Sequence, residues 1–261
     1  MTTTARRLPG DPSALHLEYS LRHPVRDVSH DRTIERWSVI VRHGYEVHDD
    51  TRCPEYCDDA DCPVYEEYGI EVGRMQFFRI HLYQETNAWR AMEEETHELH
   101  LIACALLDQN SGDFRERADK CLEFTGSDLL VMDRVVLDRP WRGLGLGPIL
   151  AAEAIDRLRP GARAVACMPG ISDREAGWEP SQERWDRITA RITAGWEKIG
   201  FEEFEDGVYL LDPATTAFEN ALSALRKDFH DACRTWLAAA ASETESGCRP
   251  GENENRPFPS R

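Results

Sequence analysis

Between Leu129 and Arg159 the apolar and polar positions fall into a strand, a turn and a helix. Leu129–Leu137 is an apolar run rich in Leu and Val, too short to span a membrane and bounded by turn residues, which predicts a buried strand. It gives way to Arg142-Gly143-Leu144-Gly145-Leu146-Gly147. Leu146, Leu150, Ala154 and Leu158 then recur at four-residue spacing with Ile149 and Ile155 beside them, the pattern of one helix face. Pro148 falls in the first turn, where a missing N–H costs little, and Pro160-Gly161 ends the helix. Downstream, the pattern predicts a strand at Ala162–Met168, a helix over roughly Gln182–Ile199 and a hairpin over Phe201–Leu211. Phe218, Leu222, Leu225, Phe229, Ala232 and Trp236 then form a helical stripe for packing on the chain's own domain, with pairing to a second copy, a homodimer, as the alternative.

The front half reads less regularly. Met1–Thr33 is expected to be an irregular extension, Glu35–Arg42 the first core strand, and His43–Glu67 an acidic loop. Arg74–Gln84 predicts a strand and Asn87–Leu107 a helix capped by Asn87, followed by a turn at Gln109–Gly112 and a short helix over Asp113–Phe124. These elements divide the chain into an extension (1–34), a main domain (35–212), an amphipathic helix (213–241) and a polar, Pro-containing tail (242–261) expected to be disordered.

Composition narrows the function classes. A hydrophobic content of 41% over 261 residues supports a sizeable core. The net charge of −17 argues against nucleic acid or an anionic membrane as a partner. It would attract cationic amines, although acidity is more simply a solubility device. Met1–Leu15 lacks the apolar stretch of a signal peptide, so a cytoplasmic location is expected, with the eight cysteines largely reduced. His48, Cys53, Cys57 and Cys62 are a conceivable zinc set, but their spacing is irregular and no metal is expected. His97-Glu98-Leu99-His100 falls one residue short of the zincin spacing and reads as surface or packing residues.

A glycine turn opening a helix is suited to holding phosphate. The first amides of the helix have no intrahelical partner and point outward at the positive end of the helix dipole, glycine permits close approach, and Arg142 adds a positive charge. The P-loop pattern fails for want of a Lys-Ser/Thr pair, and the dinucleotide fingerprint fails because Pro148 stands where its third glycine belongs. The Arg-x-x-Gly-x-Gly pattern after a strand resembles the acetyl-CoA pyrophosphate loop of the GNAT superfamily of N-acetyltransferases. Trp196-Glu197-Lys198-Ile199-Gly200-Phe201 is similar to the Tyr-Glu-Lys-Leu-Gly-Phe segment closing that superfamily's last long helix.

That resemblance covers Leu129–Asp212 and implies an α/β fold, a GNAT-type mixed twisted sheet flanked by helices, with added segments at both ends. It implies acetyl-CoA as acyl donor and an amine, unidentified and of a small molecule, as acceptor. Arg142, Gly143, Leu144, Gly145, Leu146 and Gly147 would hold the pyrophosphate. Val135, Val136 and Leu137, at the end of a strand that splays from its neighbour, would offer backbone amides to the pantetheine and thioester. Asp133 stands where many members carry a base; on an alternating strand it shares a face with Val135 and Leu137. Trp196 occupies the place of a common tyrosine acid and cannot donate a proton at useful pH, leaving water or Tyr209 for that role. The front half departs from the superfamily's usual order, which suggests a divergent branch. The departure at Trp196 keeps open an alternative: a catalytically weak module that binds coenzyme A as a sensor or interaction domain.

Overall fold

A computed structural model describes residues 8–23, 25, 32–44, 69–84, 86–123, 125–171 and 181–247. Seven strands form one sheet in the order β1-β2-β3-β4-β5-β7-β6. They are β1 (Leu15–Leu21), β2 (Ile34–His43), β3 (Ile70–His81), β4 (Asp128–Leu137), β5 (Ala162–Cys167), β6 (Glu202–Glu205) and β7 (Val208–Leu211). Only β4 and β5 run parallel. The helices are α1 (Ala88–Glu95), α2 (His97–Leu106), α3 (Glu116–Asp119), α4 (Leu146–Leu158), α5 (Gln182–Glu197) and α6 (Thr216–Gly247). The expected α/β class holds: a mixed, mostly antiparallel sheet flanked by helices. No helix among the described residues is long and apolar enough to cross a membrane.

The parallel pair is the middle of the protein because both of its faces are covered. Leu129 and Val131 of β4 pack with α1 and α2, while Leu130 and Met132 pack with α4 and α6. That two-sided burial explains the apolar run Leu129–Met132 at the start of β4. β5 is buried at all six positions, including Arg163, which is 5% exposed. Its guanidinium is satisfied by Asp119 at 2.6 Å and lies over the Phe114 ring.

α4 belongs to the core: Leu146, Ile149, Leu150, Ala151, Ala152, Ala154, Ile155 and Leu158 are all buried. α6 packs on it through Phe218, Leu222 and Leu225, and Arg226 grips Glu153 of α4 with two bonds of 2.7 and 2.8 Å. α5 is different, with an apolar side that is only half-buried and no fully buried residue.

At the start of β4 a charge cluster ties several elements together. Arg79 of β3 bonds Asp128 at 3.1 Å and the carbonyls of Pro160 and Leu158 beyond and within the end of α4. His81 lies between Asp128 and Glu35, at 3.2 and 3.4 Å.

Several expectations shift. The supposedly irregular extension supplies β1, whose Leu15, Leu17 and Tyr19 turn to the core face. β3 starts at Ile70 and ends at His81, earlier at both ends than the sequence pattern suggests. The single helix over Asn87–Leu107 is two helices. Asn87 does cap the first, accepting from Arg90 N, but Thr96 leaves the helical region and caps the second by accepting from Leu99 N at 3.1 Å. A residue able to satisfy a helix start in this way divides an otherwise continuous pattern. Among the described residues of the expected helix over Asp113–Phe124, only Glu116–Asp119 is helical. α6 continues to Gly247, past the Ser242 where polar composition suggests an end. His48, Cys53, Cys57 and Cys62 lie outside the described residues, as does the tail beyond Gly247.

Candidate functional site

The two seams of β4 are unequal. Toward β3 it is paired from Asp128 to Leu137; toward β5 the pairing stops at Met132↔Cys167. From Asp133 onward the strand has no β-partner on that side among the described residues, so alternate backbone groups of Asp133–Leu137 lack a ladder partner there. Val135, Val136 and Leu137, the residues expected to meet a thioester, line that free edge.

A bulge coincides with the end of that pairing. Gln76 pairs with Arg134 and Phe77 with Met132, which leaves Asp133 as the extra residue. The bulge shifts the alternation of the strand. Val135 and Leu137 pack on the same face as Met132, whereas Asp133 remains on the face of Val131, within electrostatic reach of Glu98 on α2. The expectation that Asp133, Val135 and Leu137 share one face is therefore wrong. A strict period of two cannot pass through an inserted residue.

The Asp133 side chain is only 6% exposed, and its Oδ2 lies 3.3 Å from Nε of the more exposed Arg134. Burial pushes its carboxyl above the ordinary value; the Arg134 charge opposes this and the Glu98 charge adds to it. A carboxylate so placed is a stronger proton acceptor than one in water.

Beyond the free edge the chain makes a single 3-10 turn, Arg139–Trp141, and enters the glycine loop. Trp141 is buried and stacks obliquely on His43 at 5.1 Å, fixing the base of the loop to the sheet. Arg142 donates from Nε to the carbonyl of Leu137, which folds the loop back over the end of β4. Gly143 and Gly145 have φ of 75° and 84°, so both positions need glycine. Gly145 caps α4 without any side-chain acceptor. Among the described residues, a Cβ placed on Gly145 or Gly147 would meet nothing within 4 Å. The first amides of α4, which have no intrahelical partner, thus start the helix beside space that no described residue fills, the arrangement a phosphate group requires.

α5 closes one side of this loop. Gly195 stands in the last turn of α5, two residues before its end at Glu197. A Cβ there would come within 3.2 Å of Pro148 Cγ, so the glycine lets α5 lie against the first turn of α4. One turn earlier, Arg191 donates from Nη2 to the carbonyl of Gly143 at 3.3 Å. Nothing in the local sequence marks Arg191 as part of the site.

Tyr209 is in β7, opposite Cys167, which is itself opposite Met132. It therefore lies two strands from β4, about 10 Å by strand spacing. It takes a hydrogen bond from Thr193 of α5, and burial, then Glu203 and Glu197, push its hydroxyl above the ordinary value. Trp196 is half-buried and packs on the core.

No protein-family model and no curated protein matches the chain. Among solved structures, it is similar to one described as the crystal structure of AtaTR bound with AcCoA. The identity is 10% and the TM-score 0.32, over 83% of this chain and 99% of that one. Likeness of that size has no bearing on the site, whose reading rests on its own geometry.

Proposed function

We propose that the chain is an acyltransferase that moves an acetyl group from acetyl-CoA to an amine. The observation that carries this reading is the juxtaposition of a strand edge freed after Met132 with a glycine loop and an uncovered helix start immediately beyond it. The pyrophosphate rests on the amides of Leu146 and Gly147 and of the preceding loop, with Arg142 beside it. The pantetheine arm lies along Val135–Leu137, where free backbone groups hold its amides and polarise the thioester carbonyl. Asp133, on the other side of the sheet, accepts the proton that the amine must lose as its nitrogen attacks. Donor and acceptor thus approach the free edge from opposite faces. The departing thiolate is a tolerable leaving group near neutral pH, and the half-buried Tyr209 hydroxyl or water supplies its proton.

One observation favours the second reading, a coenzyme A-binding sensor: indole at Trp196 replaces the acid that the resemblance implies, and Tyr209 is held by Thr193. Turnover with any amine separates the two.

The test of the binding site is Gly147→Leu. Gly147 is helical and its missing Cβ points into space that no described residue fills, so leucine there should leave the fold intact while covering the loop mouth, since helical side chains lean toward the N-terminus. Gly145→Val would be less clean, because a φ of 84° strains any side chain. Calorimetry should show coenzyme A affinity lowered more than tenfold, over about 1.4 kcal/mol. Unchanged affinity in folded Gly147→Leu would remove the loop from the site.

A further inference from the structure

We infer that Arg191 of α5 is a second phosphate-recognising residue, gripping the coenzyme from the side of the loop opposite α4; this rests on the coenzyme reading above. Two features of α5 point the same way. Gly195 brings the helix against Pro148 in the first turn of α4, and Arg191, four residues earlier and so on the same face, reaches the carbonyl of Gly143. That face of α5 is thus devoted to the loop rather than to the sheet.

The charge pattern sharpens the point. The chain holds 48 acidic residues against 31 basic ones, and its exposed arginines commonly find a carboxylate: Arg226 takes Glu153, Arg74 takes Glu71, Arg187 takes Glu183. Arg191 is exposed and its hydrogen bond among the described residues goes to a glycine carbonyl in the loop, 3.3 Å from Nη2. A guanidinium has five N–H donors in a planar fork, so one bond to the loop leaves the rest available to an anion seated on the neighbouring amides. Arg142 cannot do the whole task, since its Nε is committed to Leu137. The ligand chemistry is a phosphate ester of coenzyme A, either the pyrophosphate or the 3′-phosphate.

The experiment titrates coenzyme A and dephospho-coenzyme A into wild type, Arg191→Ala and Arg191→Gln at two salt concentrations. Coenzyme A affinity should fall about tenfold or more in both variants, the range of a charge-assisted contact, with a shallower salt dependence than wild type. Equal losses for both ligands assign Arg191 to the pyrophosphate; a loss confined to coenzyme A assigns it to the 3′-phosphate. Gln keeps a donor for the Gly143 carbonyl but no charge, so restoration of wild-type affinity in Arg191→Gln would overturn the inference and make the residue a mere prop for the loop. Unchanged affinity in Arg191→Ala would overturn it outright while leaving the coenzyme reading standing. Wild type that binds neither ligand would overturn both.

Discussion

α4 and α5 flank the same loop yet are held in opposite ways. α4 sinks most of its thirteen residues into the core, whereas α5 buries none of its sixteen. One helix is a floor whose position is set by the fold. The other is a roof attached through a half-buried apolar side and a few contacts to the floor's first turn. The difference teaches where a binding site can yield: segments with few buried contacts open at low free energy, and ligand contacts can order them.

Chemistry on this view belongs to neither helix, and the largest predicted effect tests that. Asp133→Asn should lower turnover by 10²–10⁴-fold, about 3–5 kcal/mol in the barrier, with coenzyme A affinity preserved. Because the carboxyl is raised by burial, the wild-type rate should fall as pH drops through a value above that of an ordinary aspartate. The sign for stability is opposite. A folded-state value above the unfolded one contributes stability at low pH that is lost as pH rises through the folded value. The ionised carboxylate therefore opposes folding at neutral pH, and Asp133→Asn should raise the melting temperature at pH 7 more than at pH 4. Equal rates in variant and wild type would move the base elsewhere.

Next in size is a matched pair of core truncations. Ile155→Ala in α4 should cost about 2–5 kcal/mol in chemical denaturation, the usual range for a fully buried aliphatic side chain. Ile188→Ala in α5 should cost under about 1 kcal/mol, because its side chain is only half-buried. Similar losses at the two sites would erase the contrast. The smallest effect is the most direct: amide exchange in α5 should be faster than in α4, and saturating coenzyme A should slow α5 more. Uniform protection across both helices would show that α5 is already fixed.

The legible parts of this molecule were those written in neighbouring residues. β4, the glycine loop and α4 follow one another, each with its own pattern, so their bounds could be read nearly to the residue. β1 was missed: Leu15, Leu17 and Tyr19 alternate, but polar partners and nearby prolines give the stretch the look of an irregular extension. The bulge at Asp133 could not be read, because two adjacent charged residues, Asp133 and Arg134, suit an exposed strand end as well as an inserted residue. Arg191 was hidden for another reason: its relation to Gly143 is made by the packing of two helices, and sequence spacing carries no trace of it. Gly195 left little sign either, because glycine near the end of a helix is ordinary, and its contact with Pro148 appears only in the packing.

The charge cluster around Arg79 has a mechanical meaning. By bonding Asp128, Leu158 and Pro160 together it locks the point from which β4 and β5 set out side by side. β5 ends with its pairing at Cys167, while β4 runs five residues further, so the pair is pinned at one end and overhung by β4 at the other. A strand rises about 3.3 Å per residue, so the overhang of β4 beyond Met132 is roughly 16 Å long. With β3 paired along its other flank as far as Leu137, that overhang is a shelf fixed at its root and along one side, and its length sets how much of an extended ligand it can carry.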